Sequence, residues 1–506
     1  MKIVQLAGPS IVSLLVLVAC DTSAPPPEPT GVTGDAVSSF ASASTAHVDD
    51  GRFIVVADPG AARAIERAGY DISHALADGA VLLVTATDGD AAGLEAVRGV
   101  QHVTTDVVLT LDEFSVDAFM AGRQAGVARL DTGSPELWEF QWEKPLIGVP
   151  EVHAQATGAG TRIAVIDTGI QPGHPDLGNL NAELSVAFIG GERIEESEPT
   201  DVFGHGTMVA GIAAAQGVGV LGTAPDAELV SIRVFGPDGG AFTSDILLAL
   251  EYAAEIGADV ANLSLGTVPL PPEANAGGIR GAIERVVNGV VRQGTVVTAA
   301  AGNSATDLQH GSEWQIYTSI AGTIGASAIG ADELLTFYSN YGTNAVHVAA
   351  PGGGMADPVD SYCGIYEYFL EGRIADPGEE TQVCFLFPDE PFPVPVLPED
   401  AVECVPCTAP ERPFPLNGII TTAYFTHTEE HGYGWEGGTS FAAPHVAGLV
   451  ALVREVDPSL NPRRIAAVIA QGAGVHPGRG DPEFGAGRID AVRTLEILQR
   501  GGALGY

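Results

Sequence analysis

Three short segments of the chain set an acid, an imidazole and a hydroxyl beside glycines, the residue types that nucleophilic acyl chemistry needs. Asp167 ends the run Arg162-Ile163-Ala164-Val165-Ile166 and is followed by Thr168-Gly169. A buried strand that delivers a carboxylate at its C-terminal end is where open α/β sheets place functional groups. Many strands end in Asp, so this segment says little alone. His205 stands in Gly204-His205-Gly206-Thr207-Met208-Val209-Ala210-Gly211. Its glycines let backbone crowd the imidazole, and the small apolar residues after it read as a buried helix. A lone histidine is more often structural; two flanking glycines at a helix start shift that balance. Ser440 lies in Gly437-Gly438-Thr439-Ser440-Phe441-Ala442-Ala443-Pro444-His445-Val446-Ala447-Gly448. That places it near a helix N-terminus, where the dipole and free N–H groups favour developing negative charge. The plain alternative for Ser440 is an N-cap. Asn303 closes the run Thr295 to Gly302, a buried strand running into Gly-Asn.

Such residues need a scaffold, and the apolar patterning supplies one. Strands are predicted over 163–167, 229–234, 259–265, 295–300 and 323–329, alternating with helices over 206–215, 244–256, 279–293 and 440–454. This alternation makes a parallel α/β sheet covered on both faces. Asn461-Pro462 opens a last helix with proline in its first turn. Ahead of the sheet, residues 51–112 alternate compactly: a strand at Phe53-Ile54-Val55-Val56, a helix at 61–68, a strand at Val81-Leu82-Leu83-Val84, a helix at 90–97 and a β-branched stretch at 102–111. They predict a small α+β module. Residues 113–140 read as a connection in which a processing cut would fall.

The three glycine-flanked segments, in the order Asp, His, Ser, resemble the signature motifs of the subtilisin-like serine proteases, and the resemblance covers residues 141–506. It implies a subtilisin-like parallel sheet with helices on both faces, preceded by a ferredoxin-like pro-domain. It makes Ser440 the nucleophile and His205 its base and later acid. Asp167 then orients the imidazole, and Asn303 with the Ser440 N–H binds the oxyanion. By the same resemblance Ser264-Leu265-Gly266 and Ala300-Ala301-Gly302 form the walls of the first specificity pocket, whose small residues predict an open, mostly apolar space. Gly239-Gly240-Ala241 is implied as the edge that pairs with an extended polypeptide substrate. Residues 51–112 become an inhibitor-like pro-segment, the enzyme's own intramolecular partner. No cofactor is required, and structural calcium is left open without an identifiable site. Residues 213–225 lack the Asn-rich loop that holds calcium in many relatives, so Asp176 in His174-Pro175-Asp176-Leu177 reads as a surface acid or a cap and no metal ligand is assigned. Met208 replaces a second histidine often seen in the His motif. The rival readings are a catalytically inactive surface binding protein of the same fold, and an esterase or amidase. An α/β-hydrolase would carry its nucleophile in Gly-x-Ser-x-Gly ahead of the acid and histidine, whereas Ser440 lies in Gly438-Thr439-Ser440-Phe441-Ala442 and comes last.

Further signals concern export. Lys2 precedes an apolar run at 11–19, too short to span a bilayer, that ends in Leu17-Val18-Ala19-Cys20. This resembles a bacterial lipobox with Cys20 lipidated, the alternative being an ordinary signal peptide. Residues 1–20 are then the signal and 21–50, rich in Pro, Ser, Thr and Ala, a tether. An insertion at 354–416, rich in Pro, Asp and Glu, holds Cys363, Cys384, Cys404 and Cys407. Two disulfides are expected in an exported chain, with a zinc site through Cys404 and Cys407 as the alternative. With 64 acidic against 23 basic residues and a net charge of −41, nucleic acid and anionic lipid are discounted as partners. Membrane contact is expected only through the lipid anchor, at the cell envelope or outside it, for a monomeric protein.

Overall fold

The computed structural model describes residues 51–86, 91–110, 137, 140–195, 200–266, 269–270, 278–310, 312–354, 382–385, 403–406, 418–426, 429–474 and 482–500. The signal, Cys20, the tether, nearly all of the connection, Cys363 and Cys407 lie outside them. The first elements are β1 (Arg52–Ala57), α1 (Ala62–Arg67), β2 (Asp71–Leu76), β3 (Val81–Thr85), α2 (Ala91–Glu95) and β4 (Val100–Thr105). They make an antiparallel sheet in the order β2-β3-β1-β4. This β-α-β-β-α-β arrangement is ferredoxin-like. Strand β2 is absent from the sequence reading because Asp-Ile-Ser-His-Ala-Leu, an edge strand, exposes most of its alternate side chains.

Strands β1 and β3 are apolar at successive positions because both of their faces are covered. Phe53, Val55, Leu82 and Val84 pack with Ile65 and Leu94 under the module's own helices. Ile54, Val56, Val81 and Leu83 instead join the main core, with Leu248, Tyr252, Ile283 and Val287. A short strand, β5 (Val108–Thr110), follows.

The larger part opens with the short helices α3 (Glu143–Leu146) and α4 (Val149–Val152), then β6 (Arg162–Asp167), β7 (Val186–Ile189), β8 (Glu192–Glu195) and α5 (His205–Ala214). Next come β9 (Glu228–Arg233), β10 (Gly240–Phe242), α6 (Thr243–Glu255), β11 (Val260–Leu263), α7 (Ile279–Gln293), β12 (Val296–Ala300), β13 (Thr323–Ile329) and β14 (Val348–Pro351). β15 (Gln382–Phe385) and β16 (Glu403–Pro406) pair antiparallel by themselves, with Cys384 and Cys404 as register partners. β17 (Ile419–Phe425) and β18 (Glu430–Glu436) form a hairpin, and α8 (Thr439–Val456), α9 (Pro462–Gly472) and α10 (Ala491–Gln499) complete the described chain.

The central sheet has eight strands in the order β14-β13-β12-β11-β6-β9-β7-β8. Every neighbouring pair is parallel except β7 with β8. The five predicted strands are its core, each within two residues of its expected ends. Strands β6, β11, β12 and β13 are buried along almost their whole length, which is why they read as unbroken apolar runs. Asn461 caps α9 by accepting the Arg464 N–H, with Pro462 in the first turn.

The two-faced burial of β1 gives a prediction. Ile54 is 1 % exposed and sits on the side shared with the main core. Ile54→Ala in the full chain is expected to destabilise the module by about 2–5 kcal/mol. The exposed Arg63→Ala is expected to stay within about 0.5 kcal/mol. Denaturant titration followed by limited trypsin cleavage checks both; equal effects would argue against a shared core.

Candidate active site

Asp167 emerges at the C-terminal end of β6, fully buried, and its Oδ1 accepts the Thr168 N–H at 2.7 Å. The same oxygen lies 2.8 Å from His205 Nδ1. His205 is the first residue of α5 and keeps 8 % of its surface exposed. The approach is possible because residue 206 has no side chain: a methyl group there would lie 2.1 Å from the Gly169 carbonyl oxygen. Burial opposes a charged His205, but the Asp167 carboxylate, its hydrogen bond and the more distant Asp201 and Glu436 outweigh it. The imidazole is held above the usual histidine value.

Ser440 is the second residue of α8 and half-buried. The ring of its neighbour Phe441 stands edge-on to the His205 ring at 5.7 Å, so the N-termini of α5 and α8 converge. The Ser440 carbonyl accepts from Ser264 Oγ at 2.7 Å; Ser264 in turn accepts from Asn262 Nδ2, whose Oδ1 accepts from Thr298 Oγ1. This buried ladder ties the backbone at Ser440 to β11 and β12. Asn303 Oδ1 accepts both the Thr439 N–H at 2.9 Å and the Thr439 hydroxyl at 2.8 Å. With its oxygen engaged twice, the amide presents its N–H end for other work.

The proposed substrate strands occupy several environments. Gly239 falls in the turn before β10, at φ 80°, and the paired edge runs Gly240–Phe242. The expected edge is therefore shifted by one residue. It is already occupied: Gly240, Ala241 and Phe242 pair antiparallel with Thr110, Leu109 and Val108 of β5. Leu265 and Ala301 are both buried. Gly266 and Gly302 both border the amide of Gln315, which is fully buried.

With this geometry in hand, comparison with known proteins is informative. The profile described as subtilase family matches residues 158–487. Subtilisin BL of Lederbergia lenta is 36 % identical over 215 residues, which is 42 % of this chain and 71 % of that one. The chain belongs to the subtilase family. This is a family of serine endopeptidases, hydrolases that act on polypeptides. The extracellular protease of Xanthomonas campestris pv. campestris is 28 % identical over 409 residues, 73 % of this chain and 57 % of that protein's length. In fold, the chain is similar to the epidermin leader peptide processing serine protease of Staphylococcus aureus, with a TM-score of 0.64 at 20 % identity over 88 % of this chain and 98 % of that one.

Two buried carboxylates matter to this subtilase beyond the residues picked from its motifs. Asp201 Oδ1 accepts from Phe203 N, Gly204 N and Thr168 Oγ1, and Oδ2 from Thr207 N and Oγ1. It thereby satisfies the open donors of the turn that starts α5 and fixes where His205 enters. Burial pushes the Asp201 carboxyl up against the pull of these bonds. Its signal, an acid three residues before Gly204, was available in the sequence but passes for an ordinary loop acid. Asp176 is fully buried, which corrects the surface-acid alternative. It accepts from the N–H groups of Val218, Gly219 and Val220 and from the Tyr433 hydroxyl at 2.8 Å. Both oxygens of this carboxylate are thus taken up by N–H and O–H donors. Among the described residues no three His, Cys, Asp or Glu side chains group as a metal site, and no helix is long and apolar enough to cross a membrane.

Two outcomes follow from this geometry. Asp176→Ala is expected to lower Tm by several degrees, since it strands buried N–H groups at about 1–3 kcal/mol each, while a chelator leaves the Tm contribution of this loop unchanged. A chelator effect that disappears in Asp176→Ala would reverse that reading. The raised His205 value also sets a pH dependence. The imidazole must be neutral to accept a proton, so kcat/KM should fall on the acid side with a midpoint above 6.5. A pH–rate profile with its acid limb at or below that value would contradict the charge balance described for His205.

Proposed function

We propose that this chain is an exported serine endopeptidase that cleaves extended polypeptides through an acyl-enzyme and is released by self-processing from a pro-form. The observation that carries the reading is the buried Asp167–His205 pair at 2.8 Å with the start of α8, and hence Ser440, brought against the imidazole by Phe441. In this reading Ser440 Oγ attacks the scissile carbonyl while His205 Nε2 takes its proton and later returns it to the leaving amine. Asp167 holds Nδ1–H and offsets the imidazolium charge. The developing oxyanion is bound by the Ser440 N–H and Asn303 Nδ2. Loss of one such side-chain donor costs about 10²–10³ in turnover, a figure established on a subtilisin. No metal or cofactor is called on for any step.

Residues 51–112 act in this reading as an intramolecular inhibitor. Support comes from β5, which lies on the same edge, Gly240–Phe242, that an extended substrate would use. Asp106 adds to the attachment: its carboxylate accepts from Ser244 N and Oγ at the start of α6, and Val107 O accepts from Thr243 N. The chain between residues 113 and 140 is the proposed site of the cut. Export follows from the leader, with lipidation at Cys20 as the proposed anchor and a monomer as the proposed state. Two disulfides among Cys363, Cys384, Cys404 and Cys407 remain the proposal for the insertion. The facing backbone positions of Cys384 and Cys404 in β15 and β16 support one such bridge.

The decisive comparison uses residues 21–506 with and without Ser440→Ala, followed by intact mass and by labelling with a fluorophosphonate serine probe. Only the wild type is expected to label and to lose about its first 110–150 residues, the span in which the connecting stretch falls. A folded wild type that stays full length and unlabelled would leave the fold as an inactive binding protein.

A further inference from the structure

We propose that Lys144 is a positioning residue for the reaction: its amine ties the last turn of α5 to α8 and so fixes Ser440 relative to His205. The inference rests on the peptidase reading above. It adds a residue that touches neither the substrate nor the reacting atoms.

The need for such a tie arises in the first turns of α8. Pro444 stands four residues after Ser440 and has no N–H, so the Ser440 carbonyl lacks the donor a regular helix would give it. It accepts from Ser264 Oγ instead. The turn that carries Ser440 is therefore held in part by its surroundings.

His445, the next residue, is fully buried, and its Nε2 has no partner among the described residues. Its Nδ1 meets Lys144 Nζ at 3.3 Å and Thr223 Oγ1 at 3.2 Å. An ammonium has donors only, so Nδ1 is the acceptor and the ring proton belongs on Nε2. Burial and the Lys144 charge hold His445 well below the usual histidine value, which keeps the ring neutral for this role.

The other end of the tie is Ile212, in the last turn of α5, two turns on from His205. Its carbonyl is among the open acceptors of the helix end and receives the Thr223 N–H at 3.0 Å and Lys144 Nζ at 3.1 Å. Nζ also reaches Thr223 Oγ1 at 3.4 Å. The three N–H groups of one ammonium thus face α5, α8 and the loop between α5 and β9.

Other residues dock α3, which brings Lys144 here. Gln141 Oε1 accepts the Leu221 N–H at 2.8 Å, and Nε2 donates to the Leu221 carbonyl at 3.0 Å. Trp142 Nε1 donates to the Gly418 carbonyl at 3.0 Å, and its ring packs with Met208, Ile212 and Phe441. A change of side chain at 144 leaves these supports in place. The residue type points the same way. Lys2 is the chain's only other lysine, every remaining basic residue being arginine. A compact ammonium reaches acceptors on three sides, which a planar guanidinium fork does not.

The test compares the processed wild type with Lys144→Met, His445→Phe, the double variant and His445→Asn. The first keeps the length of the side chain without its donors, and the second keeps a ring without Nδ1. His445→Asn returns an acceptor near the place of Nδ1. For each, kcat and KM on a peptide p-nitroanilide, the rate of fluorophosphonate labelling of Ser440 and Tm are read.

Lys144→Met and His445→Phe are each expected to lower kcat and the labelling rate about tenfold or more, since a shift of about 1 Å can cost about 10². KM should stay within about twofold. The double variant should be no slower than the slower single one, because both break the same tie. His445→Asn should recover most of the loss although its smaller side chain lowers Tm. Folded variants with wild-type kcat and labelling would overturn the assignment and leave the peptidase reading intact. So would losses that follow Tm, with His445→Asn as slow as His445→Phe. Lys144→Met also leaves the buried Glu143 without the neighbouring charge; where that unfolds the chain, the two His445 variants decide. A wild type that neither labels nor cleaves would remove the peptidase reading and this one with it.

Discussion

The close contact between α5 and α8 is the constraint on which the site depends. The two helices start with His205 and within one residue of Ser440, so any change in their separation moves Ser440 relative to His205. They come close where residue 448 has no side chain: a methyl group on Gly448 would lie 2.5 Å from Thr223 Cβ and 3.1 Å from the Ala213 carbonyl oxygen. The hairpin secures α5 from another side, since Thr421 Oγ1 and Thr422 Oγ1 donate to the Met208 and Thr207 carbonyls. Rigid elements placed by backbone contact hold a catalytic geometry more tightly than loops can. The small residues after His205 and Ser440 thus serve the chemistry indirectly, by letting the helices come this close.

That constraint also explains which parts of the molecule the sequence made legible. Strands buried on both faces must be apolar throughout, so β6, β11, β12 and β13 announced themselves. The helices between them carried their own periodicity or small-residue runs. The candidate site residues were visible because a close backbone approach demands glycine at Gly206 and a left-handed φ of 89° favours it at Gly204. What stayed hidden depended on contacts between distant segments. The hairpin β17–β18 follows the insertion and mixes Thr, Tyr and Gly, and nothing local shows that its threonines bond to α5. Asp176 looked like a surface acid because its four donors lie more than forty residues away, on residues 218–220 and Tyr433.

The N-terminal module shows the same logic at the scale of a domain. A strand such as β1, apolar on both faces, cannot be at rest with one face in water, so its second cover had to be another part of the chain. The cover is the surface of α6 and α7. Two carboxylates lie at that junction. Asp106 takes the Ser244 N–H and hydroxyl, and Asp245 takes the Gly190 and Gly191 N–H groups. Burial pushes both carboxyls up, Asp245 to about 6. A carboxyl whose folded-state value is raised contributes stability that is fully present below its unfolded value of 3.8 and is lost as pH rises through the folded value. Through these two groups the folded chain is more stable in mild acid than at neutral pH.

At the far end of α5 the fold makes a costly choice that the same constraint accounts for. Lys144, in α3, is 2 % exposed, yet it is one of two lysines in the chain. Its Nζ donates to the Ile212 carbonyl in the last turn of α5 at 3.1 Å and reaches Thr223 Oγ1 and His445 Nδ1 at 3.4 and 3.3 Å. Burial lowers it to about 8, opposed by the neighbouring Glu143. A cation at a helix C-terminus meets the negative end of the macrodipole, and here it also meets a side chain of α8 one turn beyond Ser440. One amine therefore joins the last turn of α5, which opens on His205, to α8, which carries Ser440. An apolar side chain of the same length would fill the space but leave the Ile212 carbonyl and His445 without this donor. The desolvation of Lys144 is thus offset by contacts that fix the far end of α5 against α8.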